Sequence, residues 1–224
     1  MYRSIPLRLR LTAAAILAAL GWLAPLAAAQ PSLPNLFVDA TALADSLVRR
    51  TQRFKSSSCA VQEACVDGTG KRTLLRFDTL IVNDGAADLV LGAPGSNPTL
   101  FEFSPCHGHY HLASFADYEL VTLDGLQVVR GHKQAFCLLD SIKLDPLAGP
   151  RTYSCGFQGI SAGWADLYSS SLDCQWIDVT GVVPGDYLLR VRVDPLDLFA
   201  ESDETDNVTE VPVTINRRGR GRRR

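Results

Sequence analysis

The pattern of apolar and polar positions predicts a chain made mainly of β-strands. Five segments are rich in β-branched, aromatic and leucine residues, and several alternate apolar with polar residues over part of their length, as half-buried strands do. Asp124-Gly125 joins two of them as a hairpin turn, and Pro184-Gly185-Asp186 marks another junction. The five segments are LLRFDTLIVND (74–84), ASFADYELVTLD (113–124), LQVVRG (126–131), DYLLRVRVD (186–194) and VTEVPVTI (208–215).

Helical signals are few. Only DATALADSLVRRTQRF (39–54) resembles an amphipathic helix, and the long stretch 137–175 shows no clear period. We therefore predict one mainly β domain over residues 30–216, with a β-sandwich core, long disulfide-tied loops and little helix.

The first 29 residues are typical of a secretory signal peptide. Arg3, Arg8 and Arg10 precede an apolar run that ends in small residues, and the predicted cleavage follows Ala29. An uncleaved membrane anchor is the alternative for this segment. No other run is long and apolar enough to span a bilayer. We expect a secreted protein, extracellular or periplasmic, with no transmembrane segment after cleavage.

Export decides how the six cysteines are interpreted. An even number of cysteines in an oxidising compartment predicts three disulfides. Metal binding by Cys106, which stands beside three histidines, is the alternative. The cysteines are Cys59, Cys65, Cys106, Cys137, Cys155 and Cys174.

Charge is unevenly distributed along the chain. Three of the 22 basic residues lie in the signal segment and six in the tail 217–224. The body between them therefore contains 13 basic residues and all 24 acidic residues, which gives it a net charge of 13 − 24 = −11. An acidic body attracts cations, either metals or amines. The basic tail is predicted to be disordered. Contact with an anionic surface and solvation with no partner both stay open for it, and no nucleic-acid partner is expected.

Three of the four histidines stand at every second position of CHGHYH (106–111). Alternate side chains of a strand leave the same face, so we expect the imidazoles of His107, His109 and His111 to lie together, opposite Gly108 and Tyr110. Three imidazoles suit zinc, copper, iron or nickel and leave coordination positions open. The cluster alone does not separate a zinc hydrolase from a redox metal. Three solvated or separately hydrogen-bonded histidines are the alternative.

Three segments are similar to the catalytic domain of the lysyl oxidase family (protein-lysine 6-oxidase), and the resemblance covers roughly residues 33–215. The family's copper segment has the form C-H-x-H-Y-H, which implies that His107, His109 and His111 bind copper. The family makes the cofactor lysine tyrosylquinone from the lysine of a G-H-K motif and the tyrosine of a D-x-Y motif. These are Lys133 and Tyr168 here; without the resemblance they would be interpreted as a surface lysine and a loop or core aromatic. The segments are PCHGHYHLASFADYELV, GHKQAFCLLD and DLYSSSLDCQWIDVTGVVPGDYLLRVRVDPLDLFAESDETDN.

The resemblance also implies a calcium site and a disulfide pattern. Relatives bind calcium with E-S-D-x-T-N-N and an early P-D-L segment, and two positions depart from that pattern here, Asn35 and Asp206. One carboxylate is lost and one gained, so the ligand charge is unchanged; an acidic surface loop is the alternative. The implied calcium ligands are Asn35, the Leu36 carbonyl, Glu201, Asp203, Asp206 and Asn207, and the implied disulfides are Cys59–Cys106, Cys65–Cys174 and Cys137–Cys155.

Several positions stay ambiguous. Asn207 also begins a glycosylation sequon, which conflicts with a ligand role. A base must take the substrate proton, and the sequence does not rank its candidates, Asp140, Asp166 and Asp173. Animal relatives have histidines where this chain has Ser104 and Ala116.

The sequence predicts a secreted amine oxidase dependent on copper and the quinone, with calcium as a structural ion. It would use O2 to convert a primary amine, with peptidyl lysine as one candidate, to an aldehyde with release of ammonia and hydrogen peroxide. A non-catalytic, calcium-stabilised β-sandwich binding module is the main alternative. The compact build and short signal segment suggest a microbial version.

Overall fold

The computed structural model describes residues 31–131 and 137–216. The predicted signal peptide, the basic tail and Lys133 lie outside the described residues. Within these ranges the chain forms short helices α1 (Ala40–Asp45) and α2 (Cys59–Gln62), a 3₁₀ turn (Pro94–Ser96) and fifteen strands. The strands are β1 Leu36–Val38, β2 Val48–Phe54, β3 Gly70–Arg76, β4 Thr79–Asn83, β5 Leu89–Gly92, β6 Phe101–Ser104, β7 His109–Leu112, β8 Ala116–Val121, β9 Gln127–Arg130, β10 Ile142–Lys143, β11 Gln158–Ile160, β12 Trp164–Tyr168, β13 Trp176–Asp178, β14 Gly185–Val193 and β15 Val208–Ile215.

Two four-stranded sheets enclose the main core, so the predicted mainly β fold with a sandwich core is confirmed. Their strand orders are β1-β4-β12-β10 and β15-β14-β8-β9, with antiparallel pairing throughout. Along β14 every second side chain is buried, from Tyr187 to Val193. These side chains share one apolar cluster with residues of β1, β4, β8 and β12. Burial of this alternating face is the main stabilising contribution of the sandwich.

The predicted helix over 39–54 is wrong in its second half. Asp39 caps α1 by accepting a hydrogen bond from the Ala42 N–H (2.8 Å), but the helix ends at Asp45. Residues 48–54 instead form β2 and pair with β3 over seven positions. That pairing satisfies the backbone groups of β2 although most of its side chains are exposed, and tertiary pairing of this kind overrides an amphipathic pattern.

The predicted strand 74–84 is two strands in different sheets. β3 pairs with β2 and β13, whereas β4 pairs with β1 and β12. The chain changes sheet at Phe77 and Asp78: the Phe77 ring is fully buried against Tyr118, and Asp78 accepts a hydrogen bond from the Ser170 N–H (2.6 Å). The alternation of apolar residues continues through this break, which is why the sequence pattern does not reveal it.

All six cysteines are paired, as Cys59–Cys106, Cys65–Cys174 and Cys137–Cys155. These are the expected bridges, and they exclude Cys106 as a thiolate ligand. Cys65 and Cys174 also belong to a small second core with Trp176. Within the two described ranges, no helix has the length and apolarity needed to cross a bilayer.

Candidate functional site

The histidine segment forms strand β7 of the β6–β7 hairpin and the turn that connects β6 to β7. Ser104 of β6 pairs with His109 of β7, and His107 lies in the connecting turn. Gly108 has a φ of +71°, a conformation that glycine adopts without strain. The prediction of one continuous strand through all three histidines is therefore wrong, because β7 begins only at His109.

The three imidazoles nevertheless converge. Their ring centres lie 4.7–5.9 Å apart, and the Nε2 atoms of His109 and His111 are 3.0 Å apart. Two imidazole nitrogens that bind one metal at about 2.0–2.1 Å lie about 2.9–3.4 Å apart for bond angles near 90–110°. The separation of this pair therefore suits two ligands of a single ion.

The surroundings orient the ring of His109 and keep the ring of His111 neutral. His109 Nδ1 donates to the His107 carbonyl (3.0 Å), which leaves the Nε2 lone pair directed away from the backbone; ligating histidines are commonly oriented in this way. Burial, followed by the charges of His109 and His107, lowers the pKa of His111 to about 4. The donor set thus fits a divalent transition metal.

One residue of this cluster was missed by the sequence interpretation. Glu63 follows α2 and places its Oε2 3.0 Å from His107 Nε2, while its Oε1 accepts a hydrogen bond from Ser104 Oγ (2.6 Å). Ser104 Oγ in turn accepts from the His107 N–H (3.1 Å). The only local signal is an acid between Cys59 and Cys65, and nothing in the sequence connects it to histidines 44 positions later.

A cavity of about 510 Å³ is lined both by residues of the histidine cluster and by the predicted cofactor tyrosine. His107 and His109 belong to its lining, and so do Asp166 and Tyr168 of β12. Tyr168 is only 4 % exposed. Burial, followed by the nearby charge of Asp166, raises the pKa of Tyr168 well above its ordinary value. Two sets of predicted site residues, separated by more than 50 positions in sequence, thus share one cavity.

The structure separates the three candidate bases. Asp166 is buried in the cavity wall. Desolvation raises the pKa of its carboxyl to about 6, although hydrogen bonds from the Ser141 hydroxyl and the Leu139 N–H act to lower it. Asp173 lines the same cavity but is exposed. Asp140 is fully buried and accepts hydrogen bonds from the N–H groups of Thr152, Tyr153 and Ser161, which is a structural role.

The segment that follows Lys133 in the chain is anchored beside this cavity. Cys137, four positions after Lys133, lines the cavity. Gln158 is fully buried; its Oε1 accepts from the Leu138 N–H (2.9 Å) and its Nε2 donates to the Tyr110 carbonyl (3.2 Å). One side chain therefore ties this segment to the histidine strand β7.

A larger cavity of about 640 Å³ lies elsewhere and carries none of the predicted chemistry. Three carboxylates line it, Asp84, Asp88 and Asp145, and each accepts a hydrogen bond from a protein N–H or O–H. Size alone therefore does not identify the functional site.

The predicted calcium residues come together from the two ends of the described chain. Asn35 Nδ2 donates to Asp206 Oδ2 (3.0 Å), Asn207 Nδ2 donates to Glu201 Oε1 (2.8 Å), and the Leu36 N–H donates to Glu201 Oε2 (2.5 Å). Burial raises the pKa of Glu201 to about 7. Within the described residues, the buried atoms Asp206 Oδ1 and Asn207 Oδ1 accept no hydrogen bond. Buried acceptor oxygens without donors are what a calcium ion would satisfy.

Two details refine this set. The carboxylate of Asp203 accepts hydrogen bonds from the N–H and hydroxyl of Thr205, so in this structure it is turned toward its own loop. Asn207 is 9 % exposed and its amide is bonded to Glu201, which leaves no room for a glycan at the sequon.

Comparisons with known proteins show which family this chain resembles. A family model described as Lysyl oxidase matches residues 34–219. The chain is 36 % identical over 187 residues to lysyl oxidase homolog 2 of Xenopus laevis, covering 78 % of this chain and 24 % of that protein. It is 36 % identical over 189 residues to lysyl oxidase homolog 4 of Mus musculus and to lysyl oxidase homolog 1 of Homo sapiens, in each case over 79 % of this chain. The matches span 24 % and 32 % of those two relatives, so the chain corresponds to a quarter to a third of their lengths.

Proposed function

The chain belongs to the lysyl oxidase family, and from this premise we propose that it is a secreted amine oxidase. Its substrate would be a primary amine, with peptidyl lysine among the candidates, and its products an aldehyde, ammonia and hydrogen peroxide. The observation that carries the proposal is the cavity shared by His107, His109, Asp166 and Tyr168. A binding module with the same scaffold would not require this juxtaposition.

Each side chain of the cavity has a role in the proposal. His107, His109 and His111 would hold copper, and Lys133 and Tyr168 would be joined as lysine tyrosylquinone. When bound, copper and the quinone supply the oxidation chemistry that ordinary side chains lack. The protein's contribution is to hold the substrate carbon beside the cofactor and to exclude water from a largely buried tyrosine.

Asp166 is the proposed general base for the proton on the carbon next to the substrate nitrogen. Its carboxyl lies in the cavity wall two residues from Tyr168, and burial raises its pKa to about 6. A base works best when its pKa lies near the pH of the reaction. The exposed Asp173 lacks that burial and is the weaker candidate.

Calcium is proposed as a structural ion at the second cluster. Glu201, Asp206 and Asn207 would supply side-chain oxygens, and the unsatisfied oxygens of Asp206 and Asn207 support this assignment. Asn35 and the Leu36 carbonyl would complete the cage from the N-terminal strand. Asp203 would join only after its carboxylate turns away from Thr205.

Secretion is proposed on two grounds. Three disulfides persist best outside the reducing cytosol. The N-terminal sequence has the charge, apolar run and small-residue site of a signal peptide.

The decisive experiment is peptide mass mapping of protein matured with copper and oxygen. We expect one cross-linked peptide pair containing Lys133 and Tyr168, together with amine-dependent peroxide release. Tyr168→Phe and Lys133→Arg should keep copper but lose both signals, because the first lacks the phenol that is oxidised and the second is a poor nucleophile. Tyr153→Phe and Lys143→Arg are the matched controls, since both residues lie away from the cavity lining.

Two results would contradict the proposal. Amine oxidation by Lys133→Arg at the parent rate would show that this lysine is not part of the cofactor. Stoichiometric zinc, with hydrolytic activity and no quinone stain, would favour a three-histidine zinc hydrolase.

A further inference from the structure

We propose that Glu63 is a positioning residue for His107, an inference that rests on the proposed copper site. The three histidines are not held in the same way. His109 and His111 belong to β7, where pairing with β6 fixes the backbone, whereas His107 lies in a four-residue turn ahead of the strand. The orientation of its ring therefore needs a support from outside the hairpin.

Glu63 supplies that support. Its Oε2 accepts from His107 Nε2 at 3.0 Å, and the two side chains are only 28 % and 22 % exposed. A carboxylate on one ring nitrogen fixes the tautomer and leaves the lone pair of the other nitrogen, Nδ1, free to bind a metal. It also makes that lone pair more basic, which strengthens a metal bond.

The carboxylate of Glu63 is itself held in place. Its Oε1 accepts from Ser104 Oγ, and the same hydroxyl accepts from the His107 N–H. Glu63 thus supports the histidine through the ring and, by way of Ser104, through the backbone.

The backbone around Glu63 is fixed by covalent bonds. Cys59 begins α2 and is bonded to Cys106, next to His107, and Cys65 is bonded to Cys174. The Glu63 N–H donates to the Cys59 carbonyl (2.8 Å) as the helix ends. Two disulfides therefore flank the acid within four residues on one side and two on the other. Cys59 and Cys65 are both used in these disulfides, so neither has a free thiol. Glu63 is therefore the group in this stretch that can interact with a metal ligand.

The test measures copper binding by the full chain prepared without metal, using Cu(II) and a chromophoric competing chelator. Glu63→Ala should weaken Cu(II) binding by about 10–100-fold, the usual loss when the outer partner of a metal ligand is removed. Glu63→Asp keeps the charge but withdraws the carboxylate, and should lose nearly as much. Glu63→Gln still offers an oxygen to His107 Nε2 and should lose only a few-fold. Glu210→Gln removes the same charge from an exposed position on β15, where Glu210 contacts Arg190, and should bind like the parent.

The electron paramagnetic resonance spectrum of the copper complex is the second measurement. A change in the orientation of His107 should shift the copper hyperfine coupling in Glu63→Ala and Glu63→Asp but not in Glu210→Gln. Parent affinity and parent spectrum in both Glu63→Asp and Glu63→Gln would overturn the inference. These two variants decide the question even if Glu63→Ala folds poorly. Loss in Glu63→Gln as complete as in His107→Ala would also overturn it, because Glu63 would then be a direct ligand.

The same measurement separates this inference from the proposed function. Failure of the parent chain to bind Cu(II) would refute the copper site itself. Tight binding by the parent, loss in His109→Ala and parent-like binding in every Glu63 variant would refute only the role of Glu63.

Discussion

Replacement of Asn35 by Asp should make the fold depend on calcium. Asn35 and Asp206 are the two residues that depart from the calcium-binding pattern implied by the family resemblance, and they contact each other directly, since Asn35 Nδ2 donates to Asp206 Oδ2 at 3.0 Å. The same amide donates to Asp84 Oδ1 at 3.0 Å. In the metal-free protein these hydrogen bonds hold the N-terminal strand against the acidic loop. Asn35→Asp would replace the donor with a third carboxylate.

The magnitude follows from the two contacts. A hydrogen bond to a charged acceptor contributes about 1.5–3 kcal/mol, and Asn35 is only 7 % exposed. The contact with Asp84 is worth less, under about 1 kcal/mol, because Asp84 is exposed. The substitution should therefore cost about 3 kcal/mol without calcium. For a domain of this size, that lowers the melting temperature by roughly 6–12 °C.

Calcium should reverse the loss. An added carboxylate favours the ion, and saturating calcium at about 100 times Kd stabilises the folded state by about 2.7 kcal/mol. Asp206→Asn in the Asn35→Asp background exchanges the two residues, so an amide at position 206 can donate to the carboxylate at position 35, and the double variant should melt above the single variant in chelator. Asn216→Asp adds the same charge at an exposed position and is the matched control.

The assay is differential scanning calorimetry in chelator and in excess calcium. A melting temperature of Asn35→Asp equal to that of the parent in chelator would refute the reasoning. The reasoning would also be refuted if the stability losses of Asn35→Asp and Asp206→Asn simply added in the double variant, because substitutions of contacting residues should be energetically coupled.

Three further predictions concern the cavity and its supports. Asp166→Asn should retain copper but lower kcat by about 10²–10⁴-fold. In the parent, kcat/KM should rise with pH through about 6, since burial raises the pKa of this carboxyl and only its ionised form accepts a proton; parent-like activity in the variant would exclude Asp166 as the base. His109→Ala should lose both copper and cofactor formation, measured by metal analysis and quinone staining, and normal copper content would contradict the ligand assignment. Non-reducing peptide mapping should recover Cys59–Cys106, Cys65–Cys174 and Cys137–Cys155, each contributing about 2–4 kcal/mol; a Cys59–Cys65 peptide would refute the first two pairs.

Strands with strict alternation and the Asp124-Gly125 hairpin turn were predictable from sequence, whereas the point at which the chain changes from one sheet to another was not. The predicted segments 186–194 and 208–215 correspond closely to β14 and β15, because one face of each strand packs on the core. The exchange of sheets at Phe77 leaves no mark on the alternation, since both flanking strands bury apolar residues. The helix over 39–54 was half wrong because β2 gains its stability from pairing with β3, a partner about twenty residues away.

The residues of the candidate site were also only partly predictable from sequence. Motifs pointed to the histidines, to Tyr168 and to residues 201–207 of the proposed calcium site, because each of these motifs lies in one short stretch of chain. Glu63 stayed hidden, since its contact with His107 joins residues 44 positions apart and a single acid between two cysteines has many interpretations. The ranking of the three aspartates also needed the structure, because only Asp166 is both buried and part of the cavity lining, whereas Asp173 is exposed and Asp140 is outside the lining.

Asp166 links the chemistry to the architecture of the cavity. Its Oδ2 accepts from the Leu139 N–H (3.1 Å) and its Oδ1 from Ser141 Oγ (2.6 Å). These donors lie in the segment that begins at Cys137, and Gln158 ties the same segment to β7. The carboxyl proposed to take the substrate proton is therefore also the group that binds this segment to β12, two residues before Tyr168. A proton gained by Asp166 would weaken the bonds that hold the segment, so the position of the cavity wall and the protonation state of the base are coupled through one side chain.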